Sequence, residues 1–264
     1  VHNRHGVILD RNIIITPCLL VHNKGLVKTT NFKDPKYVGD PLNAVKIFNE
    51  KEVDELIVLD IDATVEGRGP DFELIQNLAS ECRMPFCYGG GVTNAEQAKK
   101  IISLGAEKVA LSSAAIYNTD VLRQIANAVG TQSVVVVVDI RKKKIFGGYE
   151  IVTHNGKKTA TIKLIDFLEI LNEVGIGELV VNSIDNDGKM TGLDFKLFDF
   201  VRDKTEMPMT ILGGVGKIED IQEAILRYKT IGVSAGSFFV FKGKYRAVLI
   251  SYPKFEERKS LYQL

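Results

Sequence analysis

The chain is poor in the features that mark most specialised classes of protein. Lysine and arginine nearly balance aspartate and glutamate, 34 against 33, for a formal net charge of +1. No basic surplus is therefore available for nucleic acid or an anionic membrane surface. No apolar run approaches the ~18 residues that a spanning helix needs, and the most apolar stretch, residues 134–138, has the length of a strand. The first ten residues lack the charged-then-apolar layout and small-residue cleavage site of a secretion signal. Only three cysteines occur, Cys18, Cys82 and Cys87, an odd set without C-x-x-C spacing. They suit reduced, mostly buried thiols in a cytoplasmic protein rather than a disulfide or zinc framework, and neither a metal nor a cofactor is expected. No linker or shift of composition divides the 264 residues. One domain over residues 1–264 is expected, since barrels of alternating strands and helices reach this length as single domains.

What the chain does have is repetition. Residues 211–217 read I-L-G-G-V-G-K, a short apolar run ending in glycines and opening a helical pattern at Ile218. Backbone without Cβ atoms lets N–H groups and a helix N-terminus come close to an anion. Residues 85–92 read P-F-C-Y-G-G-G-V, with Gly89, Gly90 and Gly91 placed the same way. Gly90 and Gly214 lie 124 positions apart, as do Ser113 and Ser237, and Asp60 and Asp185 lie 125 apart. Three features at nearly one offset indicate an internal duplication.

In chain order, residues 1–12 read as irregular and polar, with no function assigned. Residues 13–20 form an apolar strand, followed by a loop over 21–40, long enough to be functional. Asp40 caps a helix begun by Pro41. Strands are then expected over 55–60, 85–88, 108–111, 133–138, 178–182, 208–212 and 231–235. Helices lie between them over 71–81, 94–104, 120–129, 162–173, 194–203 and 218–227, with a helical tail at the end. Either Thr93 or Asn94 caps the second of these helices. Residues 141–158 read as a hairpin whose lysines form a solvated edge. The strands are continuous apolar runs, as strands covered on both faces should be. Eight strand–helix units with a half-way duplication predict a (β/α)8 TIM barrel with a two-fold half-barrel repeat.

In such a barrel the active site lies at the C-terminal ends of the strands. That rule collects Leu20, Asp60, the loop 89–91, Ser112, Ser113, Asp139, Asp185, Asp187, the loop 213–216, Gly236 and Ser237. The two glycine-plus-serine pairs fall on opposite sides of the mouth, which suits a long substrate with a phosphate at each end. Carboxylates between them suit proton transfer on its middle.

These residues resemble the cyclase subunit of imidazole glycerol phosphate synthase. The likeness spans residues 13–241 and is carried by P-C-L (17–19), L-V-K-T-T-N-F (26–32), G-D-P (39–41), D-E-L-I-V-L-D-I-D-A (54–63), the two glycine runs and S-I-D-N-D-G (183–188). The resemblance implies a glutaminase partner at the N-terminal face and ammonia crossing the barrel interior. It implies reaction with a bis-phosphorylated ribulosyl aminoimidazole, giving imidazole glycerol phosphate and an aminoimidazole carboxamide ribotide. By position, Asp139 matches a catalytic aspartate acting as general base, and Lys28 the lysine of a closing loop. Asp60 and Asp187 match substrate-contacting carboxylates. Gly91 and Ser113 match one phosphate site, while Gly214, Gly216, Ala235 and Ser237 match the other. Glu55, Lys108 and Glu178 match three members of a charged gate for ammonia.

The chain departs from that pattern in places. The family's second catalytic aspartate, at the end of the first strand, aligns with Leu20, which can neither give nor accept a proton; Asp62 or His22 are the nearest substitutes. The gate arginine aligns with Ile14, with Arg11 nearby. A family serine aligns with Asn155 and a threonine with Asn182. Two functions are therefore expected as alternatives. One is an ammonia-accepting synthase subunit of a two-protein glutamine amidotransferase. The other is a non-cyclising barrel that binds a glutaminase and conducts ammonia to a partner enzyme amidating a surface-polysaccharide sugar.

Overall fold

Residues 134–138 are five consecutive valines, none more than 5% exposed, and a strand dry on both faces has to lie between two layers of apolar side chains. That is its position in the computed structural model, which describes the chain except residues 1–12, 146 and 230. The expectations for residues 1–12, Arg11 among them, lie outside the described residues.

The first strand, β1 (Ile13–His22), is followed by an antiparallel hairpin of β2 (Gly25–Thr30) and β3 (Lys33–Gly39), then by α1 (Pro41–Glu50). Next come β4 (Leu56–Asp60), α2 (Ala63–Glu66), α3 (Phe72–Glu81), β5 (Phe86–Gly89), α4 (Ala95–Ser103), β6 (Lys108–Leu111), α5 (Ser113–Tyr117) and α6 (Thr119–Val129). The long β7 (Val134–Lys142) turns back through β8 (Tyr149–Thr153) and β9 (Lys158–Thr159). The chain ends with α7 (Leu164–Val174), β10 (Glu178–Ser183), α8 (Phe195–Arg202), β11 (Met209–Leu212), α9 (Ile218–Tyr228), β12 (Ile231–Ala235), α10 (Ser237–Val240) and, after a short hairpin, α11 (Phe255–Tyr262). Strands β1, β4, β5, β6, β7, β10, β11 and β12 pair in parallel, in that order, and β12 returns to β1. The expected (β/α)8 barrel is closed.

Local chemistry places the helices. Asp40 Oδ1 accepts from Asn43 N at 2.9 Å to cap α1, and Asn94, rather than Thr93, caps α4 by accepting from Gln97 N at 2.9 Å. The large apolar core lies between strands and helices, and a separate small cluster fills the barrel interior: Cys18, Ile57, Cys87, Ala110, Val135, Val137, Val180 and Leu212. Strand alternation explains the division, since Val134, Val136 and Val138 face the helices while Val135 and Val137 face the axis.

The structure corrects one element. Residues 21–40, expected as a loop, are the end of β1 and the β2–β3 hairpin, with Leu20 opposite Val27 and His22 opposite Gly25. Asn23 and Lys24 form the turn with φ of 49° and 62°, the left-handed pair that a two-residue hairpin connection requires. The apolar residues here, Val21, Leu26 and Val27, are split by that turn, so no continuous run marks the strands.

Candidate active site

At the C-terminal end of the barrel lies a cavity of about 460 Å³, lined by β1, the hairpin and the ends of most barrel strands. The hairpin is folded inward across it. Asn31 N donates to Asp187 O at 3.0 Å and Asn31 Nδ2 to Ile184 O at 2.7 Å. Lys28 is 5% exposed, and its Nζ donates to the Cys18 carbonyl. Burial lowers the Lys28 pKa, while Cys18 and Asp187 nearby support the charge. A Cβ on Gly236 would meet Lys28 Nζ at 2.6 Å, so this glycine makes room for the ammonium group.

Asp139 ends the inward-facing row of β7 and lines the cavity. Burial pushes its pKa up to about 7, against a 2.9 Å hydrogen bond donated by Asn182 Nδ2, and Asp187 adds to the rise. Asp187 is pushed up to about 6 by burial, opposed by Lys28 and the Thr29 hydroxyl. Both carboxyls are thus poised to exchange protons near neutral pH. Asn182, on β10, keeps a buried Oδ1 with no hydrogen-bond partner among the described residues.

Asp60 is 5% exposed and heavily engaged. Arg68 grips it at 2.7 and 3.0 Å, and its Oδ1 also accepts from the N–H groups of Asp62 and Ala63 at 3.0 and 3.2 Å. It borders the cavity but spends its acceptors on organising the loop before α2.

The two glycine loops share a backbone shape, with φ of +126° at Gly90 and +112° at Gly214, and Ser113 and Ser237 each open a short helix. Their surroundings differ. Gly91, with φ +70°, and Ser113 line the cavity together with Ser237. Gly214, Gly216 and Ala235 do not. The Gly214 carbonyl accepts from Gly192 N at 2.9 Å, and Gly216 N donates to Asp220 Oδ2 at 2.8 Å. A Cβ on Gly216 would meet Met190 O at 2.2 Å. The segment after β10 therefore covers this loop, and Arg246 Nη2 pins it by donating to Gly188 O at 2.8 Å. Asp185 also leaves the mouth, its Oδ2 accepting from Lys142 N at 2.8 Å.

At the opposite end, Lys108 Nζ sits 2.7 Å from Glu55 Oε1 and 2.8 Å from Glu178 Oε2. Thr210 Oγ1 donates to the other Glu178 oxygen at 2.6 Å. Burial and Glu178 raise the Glu55 pKa, with Lys108 opposing. Ile14 lies opposite Gly232, whose missing side chain leaves space for the Thr210 hydroxyl.

The sequence reading missed Arg68, Thr210 and Asp220. Arg68 and Asp220 lie in loop and helix positions that a strand-end rule does not sample. Thr210 lies inside an apolar run where inward alternation, two residues before Leu212, could have found it. Among the described residues, no group of three or more His, Cys, Asp or Glu is arranged to hold a metal ion, and no helix is long and apolar enough to cross a membrane.

Fold and site define a class: a (β/α)8 barrel with a carboxylate-bearing mouth between duplicated glycine loops, and an ion-paired base. The chain belongs to the family described as histidine biosynthesis protein, whose model matches residues 14–246. A relative from Vibrio vulnificus is 50% identical over 251 residues, 95% of this chain and 96% of its own. One from Leptospira interrogans is 50% identical over 248 residues, 94% and 98% of the two chains. Both carry, provisionally, the name imidazole glycerol phosphate synthase subunit, hisF3 and HisF respectively. A Thermotoga protein bearing the name imidazole glycerol phosphate synthase subunit HisF without qualification is 38% identical over 224 residues, 85% of this chain and 88% of its own. Within the family the chain is a divergent, paralogue-like relative of these synthase subunits.

Proposed function

We propose that this protein is the ammonia-accepting synthase subunit of a two-protein glutamine amidotransferase and acts on a bis-phosphorylated ribulosyl aminoimidazole. The observation that carries the reading is the barrel axis. A ring of compensated charge at the base (Glu55, Lys108, Glu178) leads through a column of small apolar and thiol side chains to Asp139 and Asp187, whose carboxyls titrate near neutrality. A small neutral molecule such as ammonia suits that column, and the unpartnered Asn182 Oδ1 beside Asp139 suits an arriving N–H donor. Gly91 and Ser113 hold one substrate phosphate; Gly214, Gly216, Ala235 and Ser237 hold the other once the segment after β10 shifts. Lys28, Asp60 and Asp187 contact the substrate between them. A glutaminase subunit docks on the strand-start face around Glu55, Lys108 and Glu178.

The test is direct. Purified protein with an ammonium salt and the ribulosyl substrate should form imidazole glycerol phosphate and the carboxamide ribotide, and adding a glutaminase subunit should let glutamine replace ammonium. One observation favours a second reading: Leu20 occupies the cavity wall where the first strand of the resembled subunits carries an acid. Under that reading the barrel binds phosphorylated ligand without cyclising it and passes ammonia to an enzyme amidating a sugar. Ligand binding without turnover, together with glutaminase-dependent amidation by such an enzyme, would favour it.

A further inference from the structure

We infer that His22, oriented by Asp62, is the proton-transfer group facing Asp139 across the mouth, in the place that Leu20 leaves empty. The inference rests on the synthase reading above. It comes from how β1 ends. Leu20 and His22 are two residues apart and both line the cavity, while Val21 between them points into the outer core. The hairpin extends β1 by this extra pleat, because His22 pairs with Gly25. Asp62 reaches the same place from β4: Val21 is in register with Asp60, and Ile61 N donates to Val21 O at 3.1 Å.

The contact is that of an oriented base. His22 Nδ1 lies 2.6 Å from Asp62 Oδ1, and the other Asp62 oxygen accepts from Asn23 N at 2.8 Å. The carboxylate therefore selects the tautomer with hydrogen on Nδ1 and leaves Nε2 as the acceptor of the ring. Among the described residues, the hydrogen-bond contact at Nε2 is the amide of the exposed Asn23, at 3.0 Å, which a substrate can displace. Among the other titratable groups of the cavity, Asp60 is bound to Arg68, Lys28 to the Cys18 carbonyl and His154 Nδ1 to the Thr153 hydroxyl, while Asp187 lies close enough to Asp139 and Lys28 to act on both. Strands β1 and β7 stand first and fifth in the closed ring of eight, so His22 and Asp139 approach a bound substrate from opposite walls.

Addition of ammonia needs such a pair. As the nitrogen lone pair forms the C–N bond to the ribulosyl ketone carbon, the carbonyl π pair moves to oxygen. Asp139 in its acid form gives that oxygen a proton, and His22 Nε2 takes one from nitrogen. The outcome is a neutral carbinolamine, an Asp139 carboxylate and a His22 imidazolium stabilised by Asp62.

The test uses the whole protein with ammonium chloride and the ribulosyl substrate. His22→Gln should lower kcat by about 10²-fold or more, leave the substrate Kd within about threefold, and remove one limb of the pH–rate profile. Asp62→Asn should lower kcat less than His22→Gln and again leave the substrate Kd within about threefold, because the ring keeps its lone pair but loses the carboxylate that orients it. The other charged groups on the packed elements, Lys24 and Lys28 of the hairpin and Asp60, Glu66 and Arg68 beyond β4, stay the same in both variants. Leu20→Asp introduced into His22→Gln should restore part of the lost turnover. Unchanged kcat and pH profile in His22→Gln would overturn the inference alone, with the synthase reading intact. Wild-type protein that binds the substrate but does not turn it over would overturn both.

Discussion

The two ends of the barrel give their buried charges different partners. At the base, one lysine is shared by two glutamates at 2.7 and 2.8 Å, and a threonine hydroxyl satisfies a remaining oxygen. At the mouth, Asp139 has a single amide donor among the described residues, and burial drives its carboxyl up to about 7. Even with the partners at the base, burial pushes the Glu55 carboxyl up to about 7, with Glu178 adding to the rise and Lys108 opposing it, so the ion pairs hold the strand starts together without fixing one protonation state. At the mouth the same displacement falls on carboxyls that line an open cavity, where a substrate can reach them. The apolar column between the ends keeps the two sets of charges apart.

The strongest way to break this contrast is to remove one group from each end. Asp139→Asn should cut ammonia-dependent turnover by about 10²–10⁴-fold and leave stability equal or higher, since a poorly solvated carboxyl is gone. A large loss of stability on urea unfolding would make Asp139 a structural group instead. Lys108→Met should do the reverse to stability. Two buried glutamates lose their counter-charge, and unfolding should become easier by about 3 kcal/mol, the lower part of the usual range because the lysine is 19% exposed. A midpoint unchanged in urea would mean that the ring is dispensable to the fold.

A finer test uses pH. Asp139 and Asp187 titrate at about 7 and about 6 in the folded chain, against about 3.9 in an unfolded one. The folded state therefore holds more protons through this window, and these two groups make stability fall as pH rises from about 4 to 7. The thermal stability of Asp139→Asn relative to wild type should grow by a few degrees across that range. A difference that stays flat or shrinks would contradict the raised Asp139 pKa.

The smallest expected effect sharpens a comparison within the mouth. Crystals soaked in sulfate should show an anion beside Gly91 and Ser113 and another beside Gly214 and Ser237, the second accompanied by movement of residues 188–192. Gly91→Ala should weaken substrate binding by roughly tenfold, about 1.4 kcal/mol, because its φ is +70° and a Cβ would meet the Arg68 carbonyl at 2.5 Å. Anions seen only on the lysines of the β7–β8 turn would sink the two-phosphate reading.

Much of this molecule was legible residue by residue. Continuous apolar runs marked the strands, Asp40 and the pair Thr93–Asn94 announced their helices, and the 124-residue offset pointed to opposed glycine loops. The hairpin escaped because its apolar residues are split by the Asn23–Lys24 turn, and its strands exist through pairing with β1 rather than through their own pattern.

Sequence by itself determined the period and the number of strand–helix units, because alternation and capping are local properties of the chain. Tertiary structure decided what the side chains at strand ends do. Asp60 and Asp139 look alike as strand-terminal aspartates, yet one is clamped by Arg68 and the other is left with a single amide. The two glycine loops repeat in sequence, yet one opens to the cavity while Gly192 and Asp220 take up the backbone groups of the other. Protonation and access depend on the desolvation and partners supplied by residues distant in the chain, and only closing the barrel brings these together.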